Sequence, residues 1–387
     1  NGMTVSVLQH GETPLVDVLL LFGGGDSTDD TGIDYFSDRF QRTITSDFAV
    51  TDFGRGIKSI YDPLQLAGSW IMYDFGVDET HTVEGLRTSS GNLEGNLWLV
   101  RQYLDQRRPY LGYSGIWIKS QKGSLANDWS SQGYWEWALR WKHVNPDHPT
   151  TQIATYEYYD GWNDFGNGEV KEYLDRKYHP QNARMLVIGD IESSGGEEKV
   201  VQMLEDAFGG WKGAPGAGEP PKDTLPPPNK PKDSIVYLFD DKKNTQTDIS
   251  YQCQVQPTNY VDKASLQVLA DILDDQAWDV LREQSGVTYG AGAYGYVYSG
   301  GSSYLRLNSL VQNDSSAFAI ATFNKLVADM EAGKIKEDDV RIMKFLRAKK
   351  YVLGQQSLEQ MRSRLISAMA YGGGWDYFDD YRNALAE

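Results

Sequence analysis

The chain has 387 residues, 40% of them hydrophobic, which is enough for two or three domains with cores of their own. Its formal net charge of −17 makes nucleic acid and anionic membrane surfaces poor partners and favours basic or neutral peptides. No apolar run approaches the roughly 20 residues that span a bilayer, and the one cysteine, Cys253, excludes an internal disulfide and a cysteine-based zinc cluster.

The chain opens at Asn1-Gly2 without an initiator Met and shows no signal peptide, and so reads as a mature form or a fragment. Met3–Leu8 alternates as a strand, and Leu15–Phe22 is a second, more continuously apolar strand, which suggests burial on both faces. Gly23-Gly24-Gly25 ends it, and a helix is expected from Ile33 to about Thr45. Ile57–Ile60, Ser69–Gly76 and Thr82–Leu86 have strand character. Ser89-Ser90-Gly91-Asn92 offers an N-cap for a helix over Leu93–Leu104, whose Leu93, Leu97, Val100 and Leu104 mark one face. Tyr113–Lys142 is rich in tryptophan, with Trp135, Trp137 and Trp141 in a helical second half. Gly168–Tyr178 reads as a short helix, Ala183–Gly189 as an apolar strand, and Glu197–Phe208 as an amphipathic helix closed by Gly209-Gly210.

Residues 213–233 are rich in Pro, Gly and Lys and form the one convincing linker. This divides the chain into a first α+β domain at 1–212 and a second at 234–387. Past the linker the pattern starts again: strands at Ser234–Phe239 and Asp248–Gln256, a helix at Val261–Val280, strands at Val287–Tyr298 and Ser303–Val311. Helices follow at Ala317–Ala332, at Val340–Val352 behind the acidic cap Glu337-Asp338-Asp339, and from Ser357 to about Ala370. Both halves run strand, turn, strand, helix, strands, helices, an internal duplication of pattern. The fold class expected is α+β, with two tandem homologous sandwich domains of mostly antiparallel sheet and helices on one face. The second copy lacks a counterpart of the closing strand Ala183–Gly189, so the native chain is expected to continue past Glu387, or another chain to supply that strand.

The stretch Leu281-Arg-Glu-Gln-Ser-Gly-Val-Thr-Tyr-Gly290 joins a helix to a strand. Ser285-Gly286 breaks the helical period, which places Arg282 on the last helical turn and Tyr289 on the returning strand. A guanidinium and a phenol on adjoining regular elements can grip a peptide carbonyl or a developing oxyanion. The plain alternative is a surface arginine and a sheet tyrosine. The five histidines, His10, His81, His143, His148 and His179, have no ligand spacing on any helix.

The run Glu172-Tyr-Leu-Asp-Arg-Lys-Tyr-His-Pro-Gln-Asn-Ala-Arg-Met-Leu-Val-Ile-Gly-Asp190 and the later Phe208-Gly-Gly-Trp-Lys212 resemble the pitrilysin/insulinase family of zinc metallopeptidases. So do the opening Asn1–Val5 and the Leu281–Tyr289 stretch, so the resemblance covers nearly the whole chain apart from Tyr113–Asn145. The family's zinc signature is His-x-x-Glu-His on the first helix of an active half, and this chain has none. The corresponding helix reads Gly32-Ile-Asp-Tyr35-Phe-Ser-Asp38-Arg39-Phe, so Tyr35 and Arg39 stand where the two histidines would be and Asp38 where the glutamate would be. Near Gln121, where the third ligand would fall, there is no carboxylate.

The resemblance therefore implies a catalytically silent half of a clamshell. It holds no cofactor of its own, with zinc in a partner half that is fused to it or separate. This half closes the peptide chamber and presents Arg282 and Tyr289 to the substrate. One competing reading is a purely structural core-type subunit of the same fold. Another is a glycan- or peptide-binding module built on Trp117, Trp129, Trp135, Trp137 and Trp141, against which their roughly helical spacing favours packing.

Overall fold

The computed structural model describes residues 1–25, 66, 68–72, 81–105, 175–213, 236, 238, 244–297, 303–370 and 377–386. The helix expected at 33–45, the strand at 57–60, the tryptophan-rich stretch and nearly all of the 213–233 linker lie outside them. The chain forms two compact units. The first comprises Asn1–Lys142, Pro146–Pro226 and Gln356–Gly372, and the second His143–Asn145, Pro227–Gln355 and Gly373–Glu387.

The first unit is built on a sheet of β1 (Thr4–Gln9), β2 (Leu15–Gly23), β3 (Trp70–Met72), β4 (His81–Ser89) and β5 (Ala183–Gly189), in the order β1-β5-β2-β4-β3. The β1–β5 pair is parallel and the other pairs are antiparallel. Strand β2 is central, and its largely apolar run, interrupted only by Asp17, is buried on both faces. Val16, Val18, Leu20 and Phe22 face helices α1 (Leu93–Asp105) and α2 (Glu197–Phe208), sharing a core with Leu93, Leu97, Val200, Leu204 and Phe208. Each such side chain contributes about 1.5–3 kcal/mol on burial.

The alternate residues of β2, Asp17, Leu19 and Leu21, point to the opposite face and are also buried. Helix α6 (Leu358–Ala370) packs there. It brings Arg362, 2% exposed, to 2.8 Å from Asp17 Oδ2, while Arg87 Nε reaches Asp17 Oδ1 at 2.5 Å. A buried carboxylate is tolerated only when paired, and here two guanidiniums hold it. Arg184 on β5 also donates to the carbonyl of Met369, near the end of α6. A helix from beyond the Pro-rich stretch thus completes the first unit.

The residues around β5 are pinned individually. Asn182 Nδ2 donates to the carbonyls of Lys177 (2.8 Å) and Gly23 (2.9 Å), which ties the strand's entrance to the end of β2. Gly189 has φ +144°, and a Cβ there would overlap the Leu15 carbonyl oxygen, so glycine is required where the strand leaves the sheet. Trp211 is buried edge-on to Phe208 just past α2.

The second unit carries an antiparallel sheet of β6 (Gln246–Gln254), β7 (Thr288–Tyr296) and β8 (Tyr304–Gln312), in the order β6-β8-β7. Helix α3 (Tyr260–Trp278) packs on it through Leu266, Ala270, Leu273 and Ala277, and α4 (Ser316–Glu331) adds Ala319, Phe323 and Leu326. A reciprocal cap starts α3: Asn259 accepts from the Asp262 N–H at 2.8 Å, and the Asp262 carboxylate accepts from the Thr258 N–H at 2.9 Å.

Helices α5 (Glu337–Leu353) and α7 (Tyr377–Ala386) pack on the other side of α3, around Val268, Ile272, Tyr351, Tyr381 and Leu385. Glu337, Asp338 and Asp339 form the first turn of α5 rather than lying ahead of it. Helix α7 is not marked by sequence periodicity, because ten residues give too few turns for the spacing of Phe378, Tyr381 and Leu385 to stand out. Of the strand expected at Ser234–Phe239, the described residues Val236 and Leu238 lie outside regular structure and are exposed.

Candidate functional site

The segment between α3 and β7 departs from a plain helix-to-strand turn in two ways. Past Trp278 the α-helix widens into a π-helical turn over Asp279–Gln284. Three side-chain bonds at a spacing of five residues fit this wider pitch. Trp278 Nε1 donates to Glu283 at 3.1 Å, Gln284 Nε2 donates to Asp279 at 2.6 Å, and Ser285 Oγ donates to the Val280 carbonyl at 2.6 Å. The turn then closes at Gly286, φ +65°. Gly286 N–H reaches the Arg282 carbonyl and Val287 N–H the Leu281 carbonyl, each at 3.1 Å. This is a Schellman-type closure one residue wider than usual, as the extra residue of a π-turn requires. Leu281 is fully buried in the core with Val287 against it, so the turn is anchored from below.

The second departure is a β-bulge. Thr288 pairs with Val311 and Ala291 with Ser309, so the register shifts across Tyr289-Gly290. The ladder is interrupted there, and Tyr289 is 87% exposed. Bulges of this kind re-aim side chains and are common beside functional sites.

Arg282 and Tyr289 therefore lie on the two legs of one core-anchored turn. Arg282 is half-buried and Tyr289 projects into solvent, and neither side chain bonds to a described residue. The spacing rules locate both residues. They miss the π-turn and the bulge, whose only sequence signals are the polar pairs at five-residue spacing and the small residues around Gly290. One turn earlier, burial and the neighbouring Asp279, Asp339 and Asp274 push the Asp275 carboxyl above its ordinary value.

Tyr35, Asp38 and Arg39, and with them Gln121, His143, His148 and the clustered tryptophans, lie outside the described residues. Among the described residues, no group of three His, Cys, Asp or Glu side chains is placed to hold a metal. No described helix is long and apolar enough to cross a membrane.

The chain thus consists of two α+β units with mostly antiparallel sheets, the second carrying a turn with a half-buried arginine and an exposed tyrosine. The sequence matches the Peptidase M16 inactive domain over residues 164–346. The fold aligns over the whole chain with a protease from Helicobacter pylori (14% identity, 91% of that chain, TM-score 0.77). It aligns equally with a peptidase M16 inactive domain from Pseudomonas fluorescens (17% identity, 90% of that chain, TM-score 0.77). It also aligns with the periplasmic protease PqqL from Escherichia coli at 12% identity and TM-score 0.71, and there it spans 43% of the longer chain. No curated protein sequence matches the chain. The match over residues 164–346 and the shared fold support a pitrilysin/insulinase-type (M16) inactive half, and the sequence contains no His-x-x-Glu-His motif.

Proposed function

We propose that this chain forms one wall of a peptide-cleaving chamber whose zinc is held by a partner half, on the same polypeptide or a separate subunit. In this role Arg282 and Tyr289 contact the peptide backbone at the reacting carbonyl. The observation that carries the reading is the combination of a rigid base with uncommitted side chains. The turn is fixed by Leu281 in the core and by the Gly286 closure, while Arg282 and Tyr289 bond to no described residue. Groups that stabilise charge developing in a transition state must be held in place without being used up by internal bonds. Five guanidinium N–H donors and one phenolic O–H suit an oxyanion or a peptide carbonyl.

The chain's net charge of −17 supports a preference for cationic peptides, one that fades as salt screens it. The residues 1–212, 213–233 and 234–387 are read as first domain, linker and second domain of this half, with α6 returning to the first sheet.

The test is peptide hydrolysis by the native assembly that pairs this chain with its zinc-bearing half. Arg282→Ala and Tyr289→Phe should each lower kcat/KM by about 10- to 1,000-fold, the range for loss of one donor to developing charge. Unchanged kcat/KM in both variants would sink the reading. A native assembly that contains no zinc and cleaves no peptide would instead identify a structural core-type subunit.

A further inference from the structure

The bulge that presents Tyr289 is held together by side chains rather than by the β-ladder. Thr288 Oγ1 lies 2.6 Å from the Leu310 carbonyl, to which it donates, and accepts the Gly290 N–H at 3.0 Å. The Gly290 carbonyl, 2.8 Å from the same Thr288 hydroxyl, takes a hydrogen bond from Ser309 Oγ at 3.0 Å. Both polar groups of the Gly290 backbone, orphaned by the bulge, are thus satisfied by two hydroxyls that are themselves buried, at 6% exposure for Thr288 and 1% for Ser309. Two residues after the ladder resumes at Ala291, Asp274 Oδ1 on α3 accepts the Ala293 N–H at 3.0 Å and fastens β7 to the helix. A Cβ at Gly292 would lie 3.0 Å from that carboxylate, a tight contact to which the Asp274 side chain would have to yield.

We infer that Thr288 and Ser309 are positioning residues for Tyr289: their hydroxyls take the place of the missing ladder bonds at Gly290 and fix the bulge that turns the phenol out of the sheet. This rests on the reading of Tyr289 as a substrate contact. The physical reason is that Gly290 is itself exposed and has no side chain to pack, so the bulge is fixed by these part-buried hydroxyl bonds to its backbone and loosens when they are lost. Without the Thr288 hydroxyl, Gly290 N–H loses its acceptor, and the strand gains by sliding toward a regular ladder, which would swing Tyr289 toward the sheet plane. Both hydroxyls are buried and bonded within the sheet, so their effect is expected to run through the tyrosine.

The experiment is a double-mutant cycle on peptide hydrolysis by the native assembly, with thermal unfolding as the control for folding. Thr288→Val keeps the shape and removes the hydroxyl. It should lower kcat about tenfold with little change in KM, as expected for a contact made only in the transition state. Thr288→Ser should restore most of the loss, and Ser309→Ala should show a smaller fall in the same direction. In a Tyr289→Phe background, Thr288→Val should change kcat by less than about twofold, because the two residues act as one unit. Hydrogen exchange at the Gly290 amide should quicken in Thr288→Val and not in Tyr289→Phe.

If Tyr289→Phe is impaired while a folded Thr288→Val keeps wild-type kcat, or the two losses simply multiply, the positioning role is wrong and the substrate-contact reading stands. If Tyr289→Phe itself is silent, the substrate-contact reading fails and takes the positioning role with it. If Thr288→Val does not fold, Thr288→Ser and Ser309→Ala decide: wild-type kcat and unchanged Gly290 exchange in Ser309→Ala would overturn the proposal.

Discussion

Two stretches of this chain carry the strongest family-like motifs, and the structure uses them in opposite ways. In the first unit, the residues around β5 are consumed internally. Asn182 ties Lys177 to Gly23, Gly189 makes room for the Leu15 carbonyl, and Trp211 fills the core beside Phe208. In the second unit, the Leu281–Tyr289 motif buries only its apolar members. Leu281 and Val287 anchor the turn, while Arg282 and Tyr289 bond to no described residue. A motif that is spent on packing reports the fold. A motif whose polar members stay uncommitted on a fixed base is a candidate for chemistry.

Mutations can break this contrast. The largest effect is expected at Asp17, the buried partner of Arg87 and Arg362. Asp17→Ala should destabilise the first unit by about 3–5 kcal/mol, the usual cost of breaking a buried ion pair by removing one partner, seen as a lower urea midpoint for loss of that unit. A change of under 1 kcal/mol would mean that α6 does not need this clamp. Next comes Asn182→Ala, which removes one side-chain donor from two carbonyls. It should cost about 1–3 kcal/mol in the same measurement.

Arg282→Ala and Tyr289→Phe sharpen the comparison from the other side. Each should change stability by no more than about 0.5 kcal/mol, as for surface substitutions, even where activity falls. If Arg282→Ala destabilises its unit as much as Asn182→Ala destabilises the first, the two motifs are alike and the contrast is lost.

The smallest effect concerns pH. The Asp275 carboxyl is raised above its ordinary 3.8 by burial first, then by Asp279, Asp339 and Asp274. The folded state therefore binds this proton more tightly than the unfolded one. Stability from this group is lost as pH climbs from the ordinary value through the raised one. Asp275→Asn should raise Tm slightly, by about 1 °C, at pH 7 and leave it unchanged below pH 3.8. A lower Tm at pH 7 would show that the carboxylate is needed where it stands.

Much of the fold was legible because it follows from local periodicity. The largely apolar run of β2 foretold burial on both faces, the 93-97-100-104 spacing foretold α1, and Glu197–Phe208 was readable to the residue. Arg282 and Tyr289 were locatable for the same reason, since Gly286 marks the end of a helix and the alternation after it marks a strand. Helix α7 escaped because ten residues hold too little period. The cover on the second face of the first sheet escaped because it depends on Asp17 meeting Arg362, 345 positions away.

What the sequence alone determined is the order of elements, the apolar faces that pair them and the loss of the His-x-x-Glu-His motif, all properties of near neighbours along the chain. What only the tertiary structure decided is which polar residues are used up. Thr288 and Ser309 close on Gly290 only after β7 and β8 have paired with a shift in register. Arg362 becomes a core residue only once α6 lies against β2. A hydrogen bond between residues distant in sequence has no periodic signature, because its partners are chosen by packing and not by spacing.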